Sequence, residues 1–258
     1  MLSAHLRRQT DIIGALMMRE TTTRFGRRGL GFLWVVGEPL LFCLFVLVMW
    51  SLLKPEYEHG IRLGPFVMTG YMSLLLLRHQ IGFSMYALQG NIGLLYHRKI
   101  NVLHLFVARN LLEFAGATAA FIVVYTILII LGQISLPKDV LLLYSGWILL
   151  AFMGSGAATI LSALSMRSEL MERLVPVLTY ALIPISGAFF MVAWLPHRFR
   201  EMYLLVPFPN AVEMIRAGVF GEFTATYYHP LYAVTCAAIM NLVGLLLLAA
   251  SKNHVDIE

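Results

Sequence analysis

The residues best placed to do chemistry in this chain are charged groups set inside or beside long apolar runs. Arg78-His79 follows Leu74–Leu77 directly, Glu38-Pro39 comes shortly after Trp34, and Arg109 and Glu113 stand one helical turn apart. A charge at mid-depth in a bilayer costs about 2.5–3.5 kcal/mol on insertion scales, so each needs a reason to be there. For Arg78 two reasons compete. Its guanidinium fork suits carboxylate or phosphate on a polar path, or its stem snorkels and carries the charge to the headgroups. Arg24, Arg27 and Arg28, just ahead of the first apolar run, offer the same anion chemistry. Glu38 is expected to pair with one of the preceding arginines and Glu113 with Arg109, both as structural contacts. Phe42, Tyr71, Phe45, Trp50, Phe83 and Tyr86 are able to stack on sugar rings, although aromatics in such places more often pack or face lipid.

Other chemistry is missing. No G-x-x-x-x-G-K-[ST] occurs, and the Gly-rich run Gly26-Arg27-Arg28-Gly29-Leu30-Gly31 lacks the Lys-Ser/Thr that grips phosphate and magnesium. The chain is therefore not expected to hydrolyse ATP unaided. Its three aspartates, Asp11, Asp139 and Asp256, are far apart, where metal-assisted hydrolysis needs clustered carboxylates. The eight histidines form no His-Glu-x-x-His pair, and no Gly-x-Ser-x-Gly elbow is present. These absences argue against an enzyme; no catalytic residue, metal ligand or cofactor is expected in the chain.

The elements that must position these groups are apolar helices. Hydrophobic residues make up 59% of the 258-residue chain and charged residues only 13%. A bilayer core of about 30 Å takes about 20 apolar helical residues to cross. Six stretches qualify: Leu33–Leu53, Leu63–Met85, Leu105–Gly132, Val140–Met166, Val175–Leu195 and Leu231–Ala250. The expected fold class is all-α, a six-span transmembrane helix bundle; a soluble all-helical domain would not carry this composition. Cys43 and Cys236 both fall inside spans and read as small buried hydrophobes. Ahead of the first span, Leu2, Leu6, Ile13 and Leu16/Met17 recur at helical spacing among Arg7, Arg8 and Gln9. That pattern suits an amphipathic interface helix within residues 1–32, with a basic tail as the competing reading. No cleavable signal peptide is expected.

Charge sets the orientation. Twelve of the nineteen lysines and arginines fall on the side of the two termini and six on the other, with Arg78 inside a span. By the positive-inside rule both termini are cytoplasmic, and the net charge of +5 needs no nucleic-acid partner. The outward connections Lys54–Arg62 and Gln133–Asp139 are short. The third, Pro196–Pro230, is apolar yet broken by Pro196, Pro207, Pro209 and Gly218, which suits a re-entrant outer hairpin (or a compact cap) before the last span. On the cytoplasmic side, Tyr86–His104 mixes apolar and charged residues as a docking surface does, with a plain solvated loop as the alternative. Small residues from Gly154 to Ala163 allow a neighbouring helix to come close, and Pro176 and Pro184 predict a kink or local unwinding in the fifth span.

Arg19-Glu20, Arg24-Phe25-Gly26, Leu30-Gly31-Phe32-Leu33-Trp34 and Glu38-Pro39 together read R-E-x-x-x-R-F-G-x-x-x-L-G-x-L-W-x-x-x-E-P. This order resembles the opening signature of ABC-2-type polysaccharide exporter permeases, above all the inner-membrane permease of bacterial group 2 capsular polysaccharide export. Gly70, the run from Asn91 to Asn101, Ala108-Arg109 with Leu111-Leu112-Glu113, and Glu213-Met214-Ile215-Arg216 extend the likeness over nearly the whole chain. Two features depart from the pattern: Val206-Pro207 stands where the family often has Asn-Pro, and Arg98-Lys99-Ile100-Asn101 carries no proline.

The resemblance implies one transmembrane domain over residues 1–258 in the bacterial inner membrane, working as a homodimer docked to two separate ATP-binding subunits that hold ATP and magnesium. The coupling segment would be 86–104, with Leu94, Tyr96, His97, Arg98, Lys99 and Asn101 as its contact residues. The substrate would be a lipid-linked acidic polysaccharide, passed outward to a periplasmic co-polymerase or adaptor and an outer-membrane exporter. Arg24, Arg27, Arg28, Arg78, Phe42 and Tyr71 would line its path. Phe25, Trp34, Glu38, Pro39, Arg109, Glu113, Glu213 and Arg216 would be structural motif residues. Permeases for O-antigen, teichoic acid or a small drug share this architecture and remain alternatives.

Overall fold

The computed structural model describes residues 2–25, 31–53, 57–58, 60–85, 100–221 and 224–255, and these are predominantly helical. In chain order the helices are α1 (Leu2–Phe25), α2 (Gly31–Leu53), α3 (Leu63–Met85), α4 (Val102–Ile130), α5 (Val140–Ser165), α6 (Glu169–Ile185), α7 (His197–Leu204), α8 (Pro207–Phe220) and α9 (Pro230–Val255). A two-residue ribbon, Tyr57–Glu58 against Ile61–Arg62, turns the chain between α2 and α3, with Gly60 at φ 81°. A positive φ of this size is one that glycine adopts without a Cβ penalty.

Helix α3 is the hub. Pro65–Gly70 and Met72–Leu77 are buried on every side, because α2, α4, α5, α6 and α8 surround it. Met68, Met72, Leu76 and Leu77 of α3 meet Leu150 and Met153 of α5 and Ile215 of α8 in one core. Helix α9 packs along α5 and α8, while α1 lies on α4 and α2. The outer faces stay apolar: Leu41, Phe45, Val48 and Leu52 of α2 and Leu231, Ile239, Leu242 and Leu246 of α9 are exposed. In water so much exposed hydrocarbon would drive association; against lipid tails it is at home.

Close crossings are made by glycine. A Cβ on Gly146 of α5 would sit 2.9 Å from the Ile215 nitrogen, and one on Gly218 of α8 would sit 2.5 Å from the Leu143 nitrogen. Glycines on both helices thus bring α5 and α8 together backbone to backbone. Gly156 does the same for α9, where a Cβ would meet Asn241 at 3.0 Å. Asn241 is a polar residue in an apolar helix, and α5 satisfies it: its Nδ2 donates to the Phe152 carbonyl at 2.7 Å and its Oδ1 accepts from Ser155 at 3.0 Å. Helix α5 starts at an N-cap, Asp139, whose carboxylate accepts from the Leu142 amide at 2.9 Å.

Four helical stretches are long and apolar enough to cross a membrane among the described residues: Leu33–Leu53, Val102–Ile130, Val140–Ser165 and Pro230–Ser251. The expected second span is present as α3 with matching bounds, but it carries Thr69, Gly70, Ser73, Arg78, His79 and Gln80 and faces protein rather than lipid. The expected fifth span, Val175–Leu195, is corrected. The helix there is α6, seventeen residues from Glu169 to Ile185, and the chain turns at Gly187, φ 79°. The apolar run Ala188–Leu195 is not the end of a helix. It contains a 3-10 turn, Val192–Trp194, and its apolar composition reflects burial of Ala188, Met191 and Val192. Hydropathy alone does not distinguish a buried turn from a buried helix.

Within 196–230 the chain forms α7 and α8. Every residue of α8 from Phe208 to Val219 is buried, so this segment is part of the core and not an outer covering. Asn210 fastens its beginning: Nδ2 donates to the Leu204 carbonyl at 2.9 Å, and Oδ1 accepts from the His229 amide at 2.8 Å. On α7, the Tyr203 hydroxyl donates to the Pro184 carbonyl at 2.8 Å, and burial pushes its phenol pKa upward, which keeps it a donor.

Candidate functional site

A cleft of about 450 Å³ opens between α2, α3 and α6. Glu38 and Phe42 of α2 line one wall, Tyr71, Arg78 and His79 of α3 the back, and Pro176, Thr179 and Tyr180 of α6 the other wall. Its size falls in the range of ligand-binding clefts. Helical spacing explains the back wall: Tyr71, Leu75, Arg78 and Gly82 recur at three and four residues, so they share one face of α3. Pro176 lies inside α6 and removes a donor from its backbone ladder, on the stretch that faces the cleft.

The Arg78 guanidinium carbon lies 5.0 Å from the centre of the Tyr180 ring. A guanidinium on an aromatic face keeps its in-plane donors open for an anion. Beside it, His79 Nδ1 is 3.6 Å from a Glu113 carboxylate oxygen, and the His79 and Phe83 rings meet edge to face at 5.3 Å. The cleft therefore combines a cation and flat aromatic rings with a histidine–carboxylate contact, and Glu38 adds a carboxyl group to its wall.

Sequence reasoning grouped Phe42, Tyr71 and Arg78 as path residues and named Glu38 apart, as a structural residue; the structure brings all four to this cleft. Arg24 falls in the last turn of α1, where only the backbone is described, as for Phe25; Arg27 and Arg28 lie outside the described residues. Trp34 is exposed on α2 and Pro39 is buried in the same helix. Of the expected coupling residues, Leu94, Tyr96, His97, Arg98 and Lys99 lie outside the described residues. Asn101 is the N-cap of α4, and its amide donates to His104 Nδ1 at 3.1 Å.

Glu113, the expected partner of Arg109, contacts His79, and Arg109 itself reaches across to α1. Arg109 Nη2 holds Glu20 Oε1 of α1 at 2.6 Å, and its Nη1 donates to the Phe83 carbonyl in the last turn of α3. Sequence reasoning missed Glu20 as a partner and missed Tyr180 altogether. The Arg19-Glu20 dipeptide was a signal for the first; nothing local marks Tyr180, because its role depends on α6 lying across α3.

Glu213 and Arg216 form a second polar centre, one helical turn apart on α8 and 3.2 Å from each other. Arg216 is wholly buried. Its Nη1 donates to the Phe190 carbonyl at 2.7 Å and its Nη2 to the Ala188 carbonyl at 2.8 Å. Glu213 accepts from the Val192 and Tyr227 amides at 3.3 and 3.4 Å. The pair thus satisfies the irregular backbone on both sides of α8, which is what buried non-helical chain requires. Gly70 of α3 completes it: a Cβ there would lie 1.9 Å from the Ala188 oxygen.

Comparison with known proteins agrees with this architecture. Residues 12–220 match the family described as ABC-2 type transporter. The capsule polysaccharide export inner-membrane protein CtrC of Neisseria meningitidis serogroup B is 37% identical over 248 residues, 96% of this chain and 94% of that protein. The capsule polysaccharide export inner-membrane protein BexB of Haemophilus influenzae is 35% identical over the same shares. The polysialic acid transport protein KpsM of Escherichia coli is 25% identical over 93% of each chain. With the family matched over most of its length and near full-length relatives above a third identical, the chain belongs to the ABC-2 type transporter family.

Proposed function

We propose that this chain is the transmembrane permease subunit of an ATP-driven ABC exporter that moves lipid-linked capsular polysaccharide from the cytoplasm to the periplasm. The observation that carries the reading is the 34–37% identity, over 96% of the chain, to inner-membrane proteins named for capsule polysaccharide export. The sequence supports it by lacking a phosphate-gripping loop of its own. ATP and magnesium then belong to partner subunits, two per homodimer of this chain, docked at residues 86–104. A periplasmic adaptor and an outer-membrane exporter receive the polymer.

In this reading α2, α3, α4, α5, α6 and α9 are the six spans and both termini are cytoplasmic. Helix α6 is about 25 Å long at 1.5 Å per residue, near the thickness of the hydrocarbon core. Helix α8 is re-entrant, its turns neutralised by Glu213 and Arg216. The cleft at Arg78 takes an acidic group of the substrate, with Phe42, Tyr71 and Tyr180 against its sugar rings; the arginines at 24, 27 and 28 draw it toward the membrane.

Complementation in an encapsulated bacterium lacking the chain tests this. The wild-type chain should restore surface capsule, and cells without it should retain lipid-linked polymer inside. Arg78→Ala should cut export about tenfold, the loss of one charge-assisted contact, while the ATPase still copurifies. Export at the wild-type rate in that variant removes Arg78 from the path.

A further inference from the structure

We infer that Glu20 is a positioning residue that clasps the N-terminal helix to the transport cleft through Arg109. This rests on the exporter reading for its readout, and its geometry stands apart from it. The bonds form a continuous chain. Glu20 and Arg109 are both buried and their charges meet at 2.6 Å. Arg109 also donates to the Phe83 carbonyl. Phe83 sits in the last turn of α3, where carbonyls have no partner within the helix, so Arg109 acts as an external C-terminal cap. One turn before it, His79 lines the cleft beside Arg78 and contacts Glu113, which stands one turn beyond Arg109 on α4.

A second tie lies nearer the start of α1. His104 Nδ1 accepts from the Asn101 amide, which leaves the proton on Nε2, and that nitrogen donates to Gln9 Oε1. Between the two ties, Ile12, Ile13, Leu16 and Met17 of α1 pack on Leu105 and Ala108 of α4. Helix α1 is thus fixed at both ends of its contact: to the first turn of α4 by Gln9, and to the last turn of α3 by Glu20 acting through Arg109. These two turns bound the connection at which the partner ATPase is placed in the functional reading. A displacement of α1 or of that connection therefore reaches His79 and Arg78 through rigid, buried contacts. Two polar ties flank one apolar strip, and a buried ion pair, being weak as a net stabiliser, is well suited to fixing register.

The test uses the full chain assembled with its ATPase. Glu20→Gln removes the charge and keeps the shape and the Arg109–Phe83 bond. Because an unopposed Arg109 lowers recovery of the complex, export and ATP hydrolysis are both read per recovered complex, and polysaccharide exported per ATP should fall at least about fivefold, the lower range of coupling free energies. Glu20→Asp, which keeps the charge opposite Arg109 and leaves the Arg109–Phe83 bond in place, should retain more of the ratio than E20Q. An unchanged ratio in E20Q, or a loss that only tracks lost complex, overturns the clasp. A wild-type complex that exports no polysaccharide defeats the functional reading instead. The clasp is then judged by oxidative cross-linking of Leu16→Cys to Leu105→Cys, with Cys43 and Cys236 replaced by alanine. A lower yield in E20Q, with Glu20→Asp closer to wild type, sustains it, and an unchanged yield overturns it.

Discussion

Arg216 is a cation with no exposed surface, held by two carbonyls and one carboxylate. Removing only its partner leaves a buried charge unopposed. Glu213→Ala should therefore lower stability by about 3–5 kcal/mol, read as a fall in the thermal midpoint of the detergent-purified protein. Arg216→Lys should do similar damage, since a point charge lacks the planar fork that reaches Phe190 and Ala188 together. At Gly70 the argument is steric: Gly70→Ala places a methyl 1.9 Å from the Ala188 oxygen and should cost about 1–3 kcal/mol or more, checked by the same melting experiment. Gly70, Glu213 and Arg216 were marked in the sequence only by the family resemblance. Their mutual contact had no such mark, because it depends on the 186–195 turn folding between α3 and α8. Glu20 carried a visible sign in Arg19-Glu20, yet its partner sits 89 positions later, and no periodicity links them.

Among the helices, α5 is the element most dependent on small residues. It approaches α8 at Gly146 and α9 at Gly156, both closer than a Cβ permits. Gly146→Leu should push α8 away and with it the Glu213–Arg216 centre, so the variant should be recovered in low yield, whereas leucine at Ser145, at the neighbouring helical position, should be better tolerated. Equal recovery of the two would show that the crossing is less tight than it stands here. Five of the six apolar runs gave helices with bounds near those expected from hydropathy, since length and composition suffice where lipid or core surrounds a helix. The fifth did not. Proline at 184 and glycine at 187 were visible, but the apolar residues beyond them hid the break, and the turn survives there because Arg216, Glu213 and Arg200 satisfy its backbone groups. For α8, prolines in an apolar segment suggested a re-entrant hairpin or a compact cap, but which helices enclose Phe208–Val219, namely α3, α5 and α9, had no local sign.

At the scale of the whole molecule, an apolar exterior, a cleft that gathers one cation with aromatic rings, and an N-terminal helix clasped to two others describe a wall that can be moved. Nothing in the sequence grips a nucleotide. In the proposed function the motor is a separate protein, and the permease converts its strokes into passage of an acidic polymer. The direct measurement is transport in proteoliposomes loaded with lipid-linked capsular polysaccharide. The purified chain alone should neither hydrolyse ATP nor move polymer, and adding the ATP-binding subunit with magnesium and ATP should start both. Hydrolysis by the chain alone, or movement of polymer without nucleotide, would contradict the account.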